Sequence, residues 1–303
     1  MVAVRRQCAV REEDVLSADK EGNCDETEPK STNYKGDDVQ GIVWRNVILM
    51  ILLHSASIYS LFLIPVARPL TLAWCGIFYV SFHLFNFYSF IYMLHCMVNI
   101  SQSCLVHHKY SETNADPHNA RRGFFFAHIG WLFVRKHRDV IEKGRKLDTS
   151  DLLADPVVVF QRRYYKTLVL VMCFLVPTLV PWYFWGESLW NSYFLASILR
   201  YTVSLNVTWL VNSAAHMYGN RPYDITINPR ENSFVTLGAI GEGFHNFHHT
   251  FPFDYSASEF GFRFNPTTCF INLMCWLGLA SDCKKASAEM VQARKCRTGE
   301  GTS

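Results

Sequence analysis

The sequence predicts an all-α integral membrane protein whose four transmembrane helices form two hairpins. Three observations predict it. Half of the 303 residues are hydrophobic and only 18% are charged, against about 25% in an ordinary soluble domain. Twice along the chain, two long apolar stretches are separated by a short link, the pattern of a membrane hairpin. Basic residues gather in the one segment between the hairpins, as they do in loops on the cytosolic side. The net charge of +3 is too small to indicate a nucleic-acid partner. Ten cysteines without a CxxC pair do not form a disulfide framework.

Residues 1–40 hold ten acidic and six basic side chains without a sustained hydrophobic period, which predicts a disordered cytosolic tail. The first long apolar run begins near Val47, too late for a secretory signal, so it is expected to be retained. Spans are expected over about 47–64, 70–92, 167–185 and 189–211, within a membrane domain over 41–280 and ahead of a cytosolic tail over 281–303. Arg200 interrupts the fourth span and is expected to face the bundle interior, because a charge in lipid is costly. The segment 101–166 carries twelve Lys and Arg, whereas the two links carry only Arg68. Both termini and that segment are therefore placed in the cytosol. The sequons at Asn99 and Asn206 fall on the cytosolic side or in a span, where glycosylation is not expected.

The chain has twelve histidines, and several are grouped in the segments assigned to the cytosolic face. In GEGFHNFHHT, His245, His248 and His249 stand at i, i+3 and i+4, one face of a helix, and neutral imidazoles converging there suit iron, zinc or copper. The alternative is a surface histidine cluster. Asn212 and His216, also i and i+4, lie at the end of the fourth span, and alone that pair is a weak signal. Adjacent His107 and His108 differ by about 100° around a helix and need further residues to chelate.

These residues carry a resemblance. HHKYSETNADPHNARRGFFFAHIGWLFVRKH, TWLVNSAAHMYG and GEGFHNFHHTFPFDYSASEF resemble the acyl-CoA Δ9 desaturases, the stearoyl-CoA desaturase family of the endoplasmic reticulum, over about 42–79 and 106–280. The resemblance implies a four-span membrane enzyme with a cytosolic helical cap and a histidine-held di-iron site. It also implies a long-chain acyl-CoA substrate, O2, and electrons from cytochrome b5 and its NADH-dependent reductase. Carried over by position, His245, His248 and His249 match the third histidine box, His216 an additional ligand, Asn212 a ligand acting through water, and His107 with His108 the end of the second box.

The chain departs from the family in one place. No HxxxxH box follows the second span, and Cys104 and Leu105 stand where the second box has its His and Arg, so three expected ligands are absent. His83 and His95, twelve apart, do not reproduce the missing spacing. Intact flanks around 80–105 suit a missing or mistranslated exon. A catalytically impaired homologue that keeps the fold and acyl-CoA binding is therefore the alternative. A histidine-rich lipid hydroxylase fits the metal chemistry, but the Δ9-type flanks disfavour it.

For the substrate, the resemblance places Arg135, Lys136 and Asn46 at the CoA head group, and Trp131, Thr208 and Trp209 along a kinked acyl tunnel. Charge-assisted bonds to phosphate suit the basic pair, although the same residues also read as a solvated face flanking the membrane. Without the resemblance the aromatic residues read as core.

Overall fold

A computed structural model describes residues 40–81, 105–154, 156–260 and 265–301. Among these the chain is helical, and its only β pairing is three isolated antiparallel bridges, Ile42 to Val134, Asn220 to Glu231 and Glu231 to Phe244.

Helix α1 is Trp44–Leu61. Its Ile48, Leu49, Ile51, Leu52 and Ile58 stand exposed while Ser57 and Ser60 are buried. Its apolar side chains thus face outward, and small polar ones sit at the helix contacts. Helix α2 is Pro69–Ser81, and the rest of the expected 70–92 span lies outside the described residues. Helices α4, Arg162–Trp185, and α5, Leu189–Met217, are 24 and 29 residues long and apolar enough to cross a membrane. Between the pairs lies a short helix, α3, Phe124–His128. After α5 come α6, Ser233–Gly238, α7, His245–Thr250, α8, Pro266–Trp276, and α9, Ala288–Thr298.

The facing helices α4 and α5 each contain a π-helical stretch, Leu170–Leu175 and Ser192–Leu199. A π turn leaves a carbonyl outside the regular ladder, which must find another donor at membrane depth. Ser197 Oγ donates to Phe174 O at 2.9 Å and Arg200 Nη2 to Cys173 O at 3.0 Å. Arg200 also donates to Ala196 O and lies over the Phe78 ring. It is buried, as a charge in a span is expected to be.

Glu187, in the α4–α5 link, ties that link to the start of α2. Its carboxylate accepts from Arg68 N and Thr71 Oγ1, both at 2.8 Å, and from Ser188 N and Asn191 Nδ2. Trp185 Nε1 donates to the same Thr71 hydroxyl at 2.9 Å. At the opposite end of α5, Ala214 and Ala215 pack with Val235 and Ala239 of and beside α6. A second apolar cluster, Tyr223, Phe247, Phe251, Phe253, Ala286 and Val291, holds the C-terminal segment behind α7.

Candidate metal centre

Helix α7 carries three of the histidines, and its other face anchors it. Asn246 is fully buried. Its Oδ1 accepts from Tyr223 N and Asp224 N, and its Nδ2 donates to Asp224 O and Pro229 O. Glu231 Oε1 accepts from Phe247 N at 2.8 Å in the first turn, where backbone donors lack helical partners. The GEG leading into the helix has a steric cause: a Cβ on Gly243 would collide with Thr236 N and Asn232 O, and Gly241 has φ +106.

Four histidines converge. His107, His216, His245 and His249 each offer a ligand nitrogen within 4.8 Å of the others. His245 Nε2 lies 2.9 Å from His216 Nε2 and 3.1 Å from His249 Nε2. Two nitrogens each about 2.1 Å from one metal, at right angles, stand about 3 Å apart, so the donor set fits a single ion. His108 and His248 form a separate pair, Nε2 to Nε2 3.2 Å, with the His108 ring stacked on His249 at 4.3 Å. The structure thus divides the expected histidines into a group of four and a group of two. Asn212, four residues before His216, is half-buried on α5.

Two carboxylates back the four-histidine group. His107 Nδ1 donates to Asp116 Oδ1 at 2.8 Å, and His216 Nδ1 lies 3.5 Å from Glu112 Oε1. Burial would raise the Asp116 carboxyl, but the His107 ring and the Glu112 N–H hold it well below the usual range. Burial pushes Glu112 up to about 7, against the pull of Arg121. Burial, reinforced by neighbouring imidazoles, holds His245 and His249 well below the ordinary histidine value, so both rings are neutral, the form that ligates metals.

The substrate candidates fall in two places. Asn46 Nδ2 donates to Leu132 O at 2.8 Å, and Arg135 N to Gly41 O at 3.0 Å, so the start of α1 and the segment carrying Arg135 and Lys136 meet at the Ile42 to Val134 bridge. Arg135 and Lys136 are exposed there. Trp131 is half-buried with its ring 4.3 Å from that of His118, which in turn lies 5.6 Å from His107. Trp209 is buried between His54 and His128, and Thr208 Oγ1 donates to Ser204 O at 2.9 Å.

Sequence reasoning passed over Glu112, Asp116, His118, His54 and His128. The last two belong to one polar chain. His54 Nδ1 donates to Met50 O, Asn206 Nδ2 to His54 Nε2 at 3.1 Å, His128 Nε2 to Asn206 Oδ1 at 3.2 Å, and His128 Nδ1 meets Ser213 Oγ at 3.1 Å. The sequon residue Asn206 is therefore engaged inside the bundle. The SETNADPH stretch, with five polar residues close before a histidine, is the one available signal for Asp116.

Residues 102–258 match the family model described as "Fatty acid desaturase". The chain is 66% identical over 287 residues to "Stearoyl-CoA desaturase 5" of Bos taurus, covering 87% of this chain and 86% of the relative. It is 64% identical to the Homo sapiens protein of the same name, covering 87% of each. The chain belongs to the stearoyl-CoA desaturase family. Its membership makes it a fatty acid desaturase by class, an oxidoreductase lineage. A Cyprinus carpio "Acyl-CoA desaturase", 59% identical over 86% of this chain and 88% of the relative, is a further member. The bovine alignment runs over 287 positions, more than 87% of 303 residues supplies, so it carries gaps on this chain's side. Of the interval that departs from the desaturase pattern, His83, His95 and Cys104 lie outside the described residues, and Leu105 opens a helical stretch over 105–110.

Proposed function

We propose that the protein is an acyl-CoA Δ9 desaturase of the endoplasmic reticulum membrane. It introduces a cis double bond into saturated long-chain acyl-CoA, using O2 and electrons from cytochrome b5 and its NADH-dependent reductase. The observation that carries this reading is the convergence of His107, His216, His245 and His249 in a chain 66% identical to a stearoyl-CoA desaturase 5. In this reading α1, α2, α4 and α5 are the four spans of a domain over 41–280, the remaining helices form a cytosolic cap, and the tails 1–40 and 281–303 are cytosolic.

Iron is the metal proposed. His107, His216, His245 and His249 hold one ion, and His108 and His248 serve a second, with Asn212 acting through water. Bound iron with O2 supplies the oxidising power to take hydrogen from an unactivated methylene, which no side chain has. The chain's own residues bind and orient. Asp116 and Glu112 fix the His107 and His216 rings, as partners of metal-bound imidazoles do. Arg135, Lys136 and Asn46 receive the CoA head group beside the Ile42 to Val134 bridge. Trp131, Thr208 and Trp209 line the acyl path, so that geometry selects the methylene pair.

A second reading, an impaired homologue that keeps the membrane fold and acyl-CoA binding, is favoured by one observation: among the described residues, only two imidazoles, His108 and His248, pair beside the four-histidine group. Fatty-ester chromatography of desaturase-deficient cells expressing the chain, paired with acyl-CoA binding to the purified protein, separates the two. Abundant Δ9 product establishes the first. Binding with little product establishes the second, and loss of both overturns them together.

A further inference from the structure

The C-terminal segment brings together two thiols that neither the metal centre nor the acyl path uses. Cys275, near the end of α8, and Cys283 have their Sγ atoms 3.3 Å apart, both half-buried. The chain between them reverses through two left-handed residues, Gly278 at φ +70 and Asp282 at φ +57. Gly278 N donates to Cys275 O at 3.0 Å, and Leu279 N and Ala280 N both donate to Met274 O. Asp is one of the few residues besides Gly that tolerate the left-handed region, so the backbone itself delivers Cys283 to Cys275.

We propose that Cys275 and Cys283 form a reversible dithiol–disulfide site, taking a small-molecule disulfide such as oxidised glutathione as oxidant. One thiolate attacks glutathione disulfide and displaces one glutathione as thiolate. The second thiolate attacks that mixed disulfide, forming the Cys275–Cys283 bond and releasing the other glutathione. Two electrons pass to the glutathione disulfide, and the protons lost by the two cysteines end on the released thiols. A reducing compartment keeps the pair as dithiol.

The bond fastens a strap behind the histidine helix. Just past Cys283, Lys284 O accepts from Tyr255 N at 3.0 Å, and Ala286 N donates to Asp254 Oδ2 at 2.9 Å. Ala286 and Val291 then pack with Phe247 of α7. This site does not depend on the desaturase reading.

The test is chymotryptic mapping of the full-length chain in detergent, alkylated after equilibration in glutathione buffers of increasing oxidation. Cleavage after Trp276 and Leu277 separates the two cysteines, so their peptides should stay joined until reduced. Alkylation of both should fall about tenfold in a buffer where the exposed Cys269 and Cys296 still react. Tryptic cutting at Lys284 and Lys285 should slow on oxidation of the native chain and not of Cys283→Ser. Cys275 and Cys283 reacting like Cys269 in every buffer, or joining to Cys269 or Cys296 instead, overturns the proposal.

Discussion

His107 Nδ1 donates to Asp116 Oδ1 across 2.8 Å, and that bond decides which nitrogen of the ring faces the other three imidazoles. With Nδ1 protonated toward the carboxylate, Nε2 carries the lone pair. Replacing Asp116 by Asn allows the opposite tautomer and removes the charge. Asp116→Asn should weaken metal binding by about 10–100-fold, read by competition with a chelator, while helicity is retained. Unchanged affinity would show that the carboxylate merely shapes the 112–119 loop.

Metal stoichiometry distinguishes four ligands from two. Purified as it stands, the chain should hold fewer than about two irons, because the His108 and His248 pair gives a second ion too few nitrogens. His249→Ala should abolish the remaining site. Restoring an HxxxxH box and an HRxHH box within 80–108 should bring back the second iron and Δ9 product. Full di-iron loading with strong activity in the unmodified chain would sink this idea.

Stability of the metal-free protein should fall as pH drops from about 7 to 5. Burial keeps His118, lowered to about 3, and His245 and His249 neutral when folded. The unfolded chain protonates these rings below about 6.5, so it binds more protons and acid favours it. Glu112, raised to about 7, opposes this, because the folded chain holds its proton while the unfolded chain releases it above about 4.3. Glu231, raised to about 8 by burial, opposes it in the same way, and two carboxyls against three imidazoles still leave a net loss, though a smaller one. A Tm of the metal-stripped protein that stays level or rises toward pH 5 contradicts the sign.

Substituting Arg135 and Lys136 together by Ala should weaken acyl-CoA binding about tenfold and flatten its dependence on salt, since both changes remove charge that pairs with phosphate. The same affinity across a salt series would mark the pair as a solvated face.

Tags at either terminus and within 101–166 should be open to protease from the cytosolic side of intact microsomes, as the concentration of basic residues there requires. Protection of the 101–166 tag would reverse the topology.

What could be read from the residues alone was what repeats at short range. The i, i+3, i+4 spacing of His245, His248 and His249 put them on one helix because α7 has that period. It did not show that His248 parts from the other two to face His108, since that division depends on where the 105–110 helix docks. Asp116 lies nine residues from His107, across a loop with a left-handed Glu112, and no helical or strand period connects them. The chain from His54 through Asn206 to His128 spans three helices, so only their packing reveals it. Apolar runs located α4 and α5 but gave no hint of their π turns, because the partners of the α4 carbonyls, Arg200 and Ser197, come from the facing helix.

The Glu187 bond set bears on how the molecule is assembled during synthesis. Arg68 N and Thr71 Oγ1 find their acceptor 119 and 116 residues further along the chain. In the four-span reading proposed above, the first hairpin would enter the bilayer with that turn incomplete, its donors served by water or lipid head groups until the second hairpin arrives. In that reading one carboxylate joins the two hairpins at this end of the bundle. A Glu187→Ala chain should accordingly lose the stability that comes from joining the hairpins while keeping each hairpin's own helices.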